Sequence, residues 1–172
     1  IQSGAKHVLE RSKSDPTGPF RDVHGLVADL IQMQVQHATL IDTILGERSQ
    51  FVVCDGAVLS SWLQANEPKI AGRVGIFRLD DLPKLDDFPK NGPGYSVDLS
   101  GRPSVVGRAD QVVSGDSRFR HLVEFLLGNV WIVQSLRDAF LLRNEYSKHV
   151  RYATLQGEII EPDGSIVIGP PA

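Results

Sequence analysis

The chain has 172 residues, of which 41% are hydrophobic and 7% aromatic, and 18 Lys+Arg against 21 Asp+Glu leave a formal charge of −3. That length suits about one domain with a core of its own, and the mild acidity excludes a chain that coats nucleic acid through bulk charge. A single cysteine, Cys54, excludes an intramolecular disulfide framework and a thiolate zinc cluster; no apolar run nears a membrane span, and few aromatics argue against a base-stacking surface.

The first residue is Ile1 and the last is Ala172, so the chain is expected to be a piece cut from a longer protein. Residues 1–23 form the entry. Ala5 to Lys13 reads as a short amphipathic helix with Val8 and Leu9 on one face, and Ser14 to Phe20 (SDPTGPF) breaks it. This entry is either a frayed terminus or the stub of a long helix joined by a linker. From His24 the pattern turns globular. Gly25 to Ile31 (GLVADLI) suits a buried strand, and Gln36 to Leu45 carries apolar residues at helical spacing before a stop at Gly46. Gln50 to Cys54 predicts a strand, Ala57 to Ala65 a helix, and Arg73 to Leu79 another strand. Asp80 to Pro103, with four prolines and the pairs Asp80-Asp81 and Asp86-Asp87, reads as a connection in which Tyr95 and Val97 add a short strand. The plan then restarts. Val105 to Val113 predicts a strand, Phe119 to Leu127 a helix stopped by Gly128, Val130 to Val133 a strand and Leu136 to Asn144 a helix. Arg151 to Leu155 predicts a strand, and Gly157 to Gly169 a hairpin pinned by Pro162-Asp163-Gly164.

The two halves match in order. Ala28-Asp29 answers Ala109-Asp110, Ile44-Leu45-Gly46 answers Leu126-Leu127-Gly128, Phe51-Val52-Val53 answers Trp131-Ile132-Val133, and Arg73 answers Arg151. The expectation is a mixed α/β chain of two pseudo-symmetric lobes: lobe I over about 24–80, a connection over 81–103, and lobe II with the C-terminal strands over about 104–172. Lobes this small depend on each other or on a partner copy for a core.

Catalytic patterns are missing. There is no phosphate-cradling G-x-x-x-x-G-K-[ST], Gly92-Pro93-Gly94 lacks dinucleotide-fingerprint spacing, and no G-x-S-x-G nucleophile elbow occurs. The five histidines form no H-x-x-x-H pair, so neither a metal nor a cofactor is expected. Cys54 ends an apolar strand and reads as a buried small hydrophobe. Asp29 and Asp110 hold equivalent positions, where an acid serves as a cap on the next turn or as one of a catalytic pair. The acidic pairs read as solvated loop charge. Arg118, Arg120 and His121 cluster at the start of a helix; Arg137, Arg143, Lys148, His149 and Arg151 cluster further on, either as a solvated face or as a small phosphate-contacting patch. Near the end, Ile166-Val167-Ile168 is an apolar β run that aggregates unless paired. Pairing with a second copy makes Gly157, Gly164, Ser165, Ile166, Val167, Ile168 and Gly169 the candidate dimer interface.

Taken in order, GLVADLI (Gly25 to Ile31), ILGERSQFVV (Ile44 to Val53), GRVGIFRLDDLP (Gly72 to Pro83), VVGRADQVV (Val105 to Val113), FRHLVEFLLGNVWIV (Phe119 to Val133) and YATLQGEIIEPDGSIVIG (Tyr152 to Gly169) resemble the hinge domain of structural-maintenance-of-chromosomes (SMC) proteins, bacterial ones above all. The resemblance covers most of 24–169 and implies a closed toroidal homodimer that interrupts two antiparallel coiled-coil arms. In such a parent chain the ATPase head lies elsewhere, as does the kleisin-type subunit it engages, and residues 1–13 are the stub of an arm. It further implies a non-enzymatic hinge in chromosome segregation and condensation, cytoplasmic and nucleoid-associated, touching DNA weakly through Arg137, Arg143, Lys148 and Arg151. Two departures stand out: Pro170 replaces the second of the family's paired glycines, and bulky Ile166-Val167-Ile168 replaces smaller residues. The rival reading is a small-molecule or nucleotide sensor or enzyme that holds its ligand between duplicated lobes, using Asp29 and Asp110.

Overall fold

The computed structural model describes residues 1–33, 37–84, 87 and 97–170. Its elements in chain order are α1 (Ser3–Ser14), β1 (Val23–Leu26), α2 (Val27–Leu30), β2 (Gln32–Met33), α3 (Ala38–Leu45), β3 (Val52–Cys54), α4 (Ala57–Ala65) and β4 (Ile76–Arg78). They continue with β5 (Val105–Arg108), β6 (Val113–Ser114), α5 (Arg120–Leu127), β7 (Val130–Val133), α6 (Leu136–Glu145), β8 (Arg151–Thr154), β9 (Ile159–Ile160) and β10 (Ile166–Val167). The chain divides into two compact units, one of Ile1–Ile31 with Glu47–Leu82 and one of Gln32–Gly46 with Pro83–Ala172. These units cut the chain differently from the expected lobes. Residues 1–23 join the first unit, and β2 and α3, from the first half of the sequence, join the second. Much of the expected connection, Tyr95 and Gly92-Pro93-Gly94 included, lies outside the described residues. Val97 is in no strand and packs against a hydrophobic cluster of the second unit.

In the first unit β3 is central, antiparallel to β1 and parallel to β4. Helix α1 is part of this core. Ala5 and Val8 are buried with Phe20, Leu26, Val52, Cys54 and Leu59. The helix seats closely because Gly4 has no side chain: a Cβ there would meet the Arg73 carbonyl oxygen at 2.1 Å. His7 Nδ1 accepts the Ala71 N–H at 2.8 Å and ties the helix to the same loop. The entry is thus neither frayed nor independent of the unit that follows.

In the second unit five strands run in the order β10-β9-β8-β7-β5, and β2 pairs with β6. Strand β7 is antiparallel to β5 and parallel to β8, so β5-β7-β8 repeats the pairing of β1-β3-β4. Even the bulges correspond, at Val23/Gly25 and at Val105/Gly107. The expected strands over Gly25–Ile31 and Val105–Val113 are each interrupted. A one-turn helix at Val27–Leu30, or a 3-10 turn at Ala109–Gln111, separates two short strands. Apolar runs hide such turns, because a buried turn and a buried strand have the same composition.

Register corrects two details of the repeat. Val23 and Arg78 flank Cys54, as Val105 and Thr154 flank Val133. Hence Val52, not Phe51, stands where Trp131 stands. Arg151, opposite Val130, answers Gly75, while Arg73 precedes β4. Runs of successive valines slide by one residue without changing the apolar pattern, so sequence alone misplaced the match.

Helix α6 is capped by Ser135, whose Oγ accepts the Asp138 N–H at 3.2 Å, and its Ala139 and Leu142 enter a core of Leu99, Trp131, Val133, Val150, Tyr152 and Ile160. Among the described residues no helix is long and apolar enough to cross a membrane.

Candidate association edge and basic residues

The five-stranded sheet ends in a hairpin. Strands β9 and β10 are antiparallel, with Ile166 opposite Ile160 and Val167 opposite Ile159. The turn between them closes when Gly164 N–H donates to Glu161 O at 2.9 Å and Glu161 N–H donates to Ser165 O at 2.9 Å. Gly164 has φ +88°, a left-handed conformation that favours glycine. The Asp163 carboxylate accepts the Ser165 N–H and hydroxyl at 2.8 and 2.6 Å, and these bonds hold its pKa below the ordinary carboxylate value. Strand β9 faces the core, with Ile160 1% exposed; the outer strand does not, with Ile166 43%, Val167 55% and Ile168 67% exposed. A strand whose outer backbone edge and side chains are both open is a template for another chain. Ser165 and Gly169 flank this edge and are exposed, whereas Gly157 is buried in the turn after β8, its N–H donating to Thr154 O. The expected interface residues therefore separate into an open strand and one buried turn glycine.

The basic candidates also separate. Arg137 and Lys148 are exposed. Arg143 lies partly buried and donates to three carbonyl oxygens, those of Glu161 at 3.1 Å, Pro162 at 3.3 Å and Lys148 at 3.3 Å. Arg151 donates to both carboxylate oxygens of Glu161 at 2.9 and 3.1 Å, and to the carbonyl of Ile44 in α3 at 3.1 Å. Glu161 carries one sequence signal for this role, an acid just ahead of the Pro162-Asp163-Gly164 turn, and its two arginine partners come from separate segments.

Asp110 is fully buried and is not a turn cap. Arg108 Nε donates to its Oδ1 at 2.5 Å, and Arg120 Nη2 donates to its Oδ2 at 2.7 Å. Asp29 is exposed. A ligand site built on both acids would thus use one open carboxylate and one already engaged by two guanidinium groups. Cys54 is buried, and its pKa is pushed up to about 12 by desolvation first and then by Asp22, Asp80 and Asp55. Such a thiol stays protonated and is a poor nucleophile. Among the described residues no three His, Cys, Asp or Glu side chains gather to hold a metal ion.

The family model described as "SMC proteins Flexible Hinge Domain" matches residues 20–142. This chain belongs to the SMC hinge family. It is similar to the chromosome partition protein Smc of Rhodopirellula baltica, 38% identical over 99% of this chain and 14% of that protein. It is also similar to the Smc of Methanocaldococcus jannaschii, 29% identical over 84% of this chain and 12% of that protein. The chain therefore spans about one-seventh of the length of these relatives. Among solved structures, an asymmetric dimer of the Geobacillus stearothermophilus SMC hinge domain superposes with a TM-score of 0.77 at 25% identity, covering 100% of this chain and 67% of that one. The mixed α/β hinge fold expected from the ordered series of motifs is the fold observed, and a hinge is a structural domain, not a catalytic one. The matched span of this SMC hinge stops at Leu142, so Arg143, Arg151, Glu161 and the β9–β10 hairpin all lie beyond it.

Proposed function

We propose that this chain is the homodimerisation hinge of a chromosome partition protein of the Smc kind, and that a second copy seats on the β10 edge. The observation that carries the reading is the outer strand itself: an apolar β run, Ile166 to Ile168, with exposed side chains and, among the described residues, no strand paired to its outer edge, beside the buried inner strands β7, β8 and β9. The dimer of the similar Geobacillus hinge supports it. In the parent protein the hinge joins two antiparallel coiled-coil arms, with α1 leading from one of them. ATPase heads and a kleisin-type subunit lie at the far ends, and the assembly works in the cytoplasm at the nucleoid in chromosome segregation and condensation. Sedimentation equilibrium at micromolar concentration tests it: a dimer is expected, and a strict monomer ends the reading. Ile166→Asp places a charge on the open edge and is expected to give a folded monomer. Unfolding by that variant would place the strand in the core instead. Gly164→Val is a poorer probe, because it strains the turn as well.

Weak DNA contact is a second reading, favoured by the exposed Arg137 and Lys148, one in the first turn of α6 and the other just past its C-terminus. Fluorescence anisotropy at low and physiological salt is expected to show binding that weakens as salt rises; binding indifferent to salt argues against a phosphate patch.

A further inference from the structure

We infer that Arg143 and Arg151 are positioning residues for the association edge: together they hold the β9–β10 hairpin in the geometry a second copy would meet. The inference rests on the dimerisation reading. Its physical basis is the hairpin's thin support. Each strand is two residues long, the turn is exposed, and the outer strand buries little apolar surface. Strand β9 is paired with β8 and buried, but β10 and the turn add only a two-residue edge strand, and short two-stranded pairing by itself is marginal in water. What supports the turn and β10 beyond that pairing is charge. The Arg143 guanidinium, projecting from α6, gathers the carbonyl oxygens of Glu161 and Pro162 at the start of the turn together with that of Lys148 ahead of β8. Arg151, the first residue of β8, grips the Glu161 side chain from the other side and also binds the Ile44 carbonyl in the last turn of α3. Glu161 is thus fixed at both ends, its carbonyl by one arginine and its carboxylate by the other. The turn becomes anchored to α6, β8 and α3 at once.

Arginine suits this task because its planar fork presents several donors in fixed directions, which a lysine ammonium does not. Gly164 completes the arrangement through its left-handed φ of +88°, while a Cβ there would only reach ordinary contact with Arg143 Nη2 at 3.6 Å. Two residues with the composition of a phosphate patch are by this account occupied inside the fold, and what they deliver outward is the orientation of Ile166 and Val167.

The test pairs hydrogen exchange with sedimentation equilibrium on the chain carrying Arg143→Met, Arg143→Lys or Glu161→Gln. In Arg143→Met the amides of Glu161, Gly164 and the β10 residues are expected to exchange at least about tenfold faster, while those of β7 keep their rates, and the dimer dissociation constant rises about tenfold. Arg143→Lys is expected to restore only part of both effects, and Glu161→Gln to weaken both less than Arg143→Met does. Unchanged hairpin exchange in Arg143→Met overturns the inference, as does faster exchange with an unaltered dimer constant. Lower DNA affinity with an unaltered hairpin overturns it in favour of phosphate contact. If the wild-type chain proves monomeric, the dimerisation reading fails by itself, and the exchange rates still decide whether the two arginines hold the hairpin.

Discussion

Strands β1-β3-β4 and β5-β7-β8 share pairing, direction and the position of a bulge, yet the two units use that module differently. In the first unit the sheet stops at β4, whose Ile76 packs against the core. In the second it runs on through β9 to β10, which is open. Charge has diverged as well. By strand register Leu26 stands where Arg108 stands, and counting back from the glycine after each helix puts Ala38 where Arg120 stands. The first half of the chain therefore lacks both guanidinium groups at the matching positions, Leu26 in the first unit and Ala38 in α3 of the second, and Asp29 faces solvent. The second unit has both, and Asp110 is buried between them. A duplicated backbone plan tolerates different interiors as long as each buried charge arrives with its partners.

The largest contrast is expected in the central strands. Trp131 is 2% exposed and Val52 fully buried at the matching position. Trp131→Ala is expected to cost about 4 kcal/mol in urea unfolding, and Val52→Ala about 2 kcal/mol. Equal losses would mean that the two strands do not play the same part. Among the described residues the buried Trp131 indole N–H has no hydrogen-bond partner, so Trp131→Phe is expected to cost much less than its lost volume suggests.

Next come the two acids. Asp110→Ala leaves two guanidinium groups facing a fully buried site, and because Arg108 and Arg120 are themselves 30% and 44% exposed, water relieves part of the loss. The expected cost is about 2–3 kcal/mol, against less than about 0.5 kcal/mol for the exposed Asp29→Ala. A cost for Asp29→Ala as large as for Asp110→Ala would break the comparison.

How much of this was legible in the sequence follows from what each feature depends on. The Leu-Gly helix stops at Gly46 and Gly128, the Pro-Asp-Gly turn and the apolar β10 run are local signals, and they came through. The seating of α1 did not, because it depends on Gly4 meeting the Arg73 carbonyl across a long stretch of chain. Nor did the passage of β2 and α3 into the second unit, since helical periodicity names a buried face without naming the sheet it packs on. Arg143 and Arg151 read as surface charge for a related reason. Their partners are backbone carbonyls and one glutamate brought near only by the fold.

Alkaline pH offers a smaller contrast between the units. Cys54 in the first unit has its pKa raised from 9.0 to about 12, chiefly by burial, and Tyr152 in the second from 10.0 to about 12, again chiefly by burial. In each case the folded state keeps a proton that the unfolded chain gives up, so the stabilisation is complete below the unfolded value and is lost as pH rises toward the folded one. Stability is expected to fall from about pH 9 through Cys54 and more steeply above about pH 10, where Tyr152 joins, by on the order of 1 kcal/mol per pH unit and group. Urea unfolding at pH 8, 9.5 and 11 checks this. Cys54→Ala should flatten the first segment, and Tyr152→Phe the second, at the expense of the bond from the Tyr152 hydroxyl to Ser147 O.

The smallest expected difference lies at the two sheet edges, and it bears most directly on function. Ile76 in β4 packs against the first unit's core, while Ile166 in β10 is 43% exposed. Ile76→Thr is expected to destabilise folding by about 1 kcal/mol, and Ile166→Thr by less than about 0.5 kcal/mol. Self-association should show the opposite ranking, with Ile166→Thr raising the dimer dissociation constant more than Ile76→Thr does. If a polar residue at 166 changes folding as much as one at 76 and leaves association alone, β10 is an ordinary covered strand of a monomer. Should the two rankings cross as expected, the cost of an open apolar edge is borne by the free chain because a second copy covers it, and the divergence of the two units is the division between an edge strand that packs on its own core and one that docks.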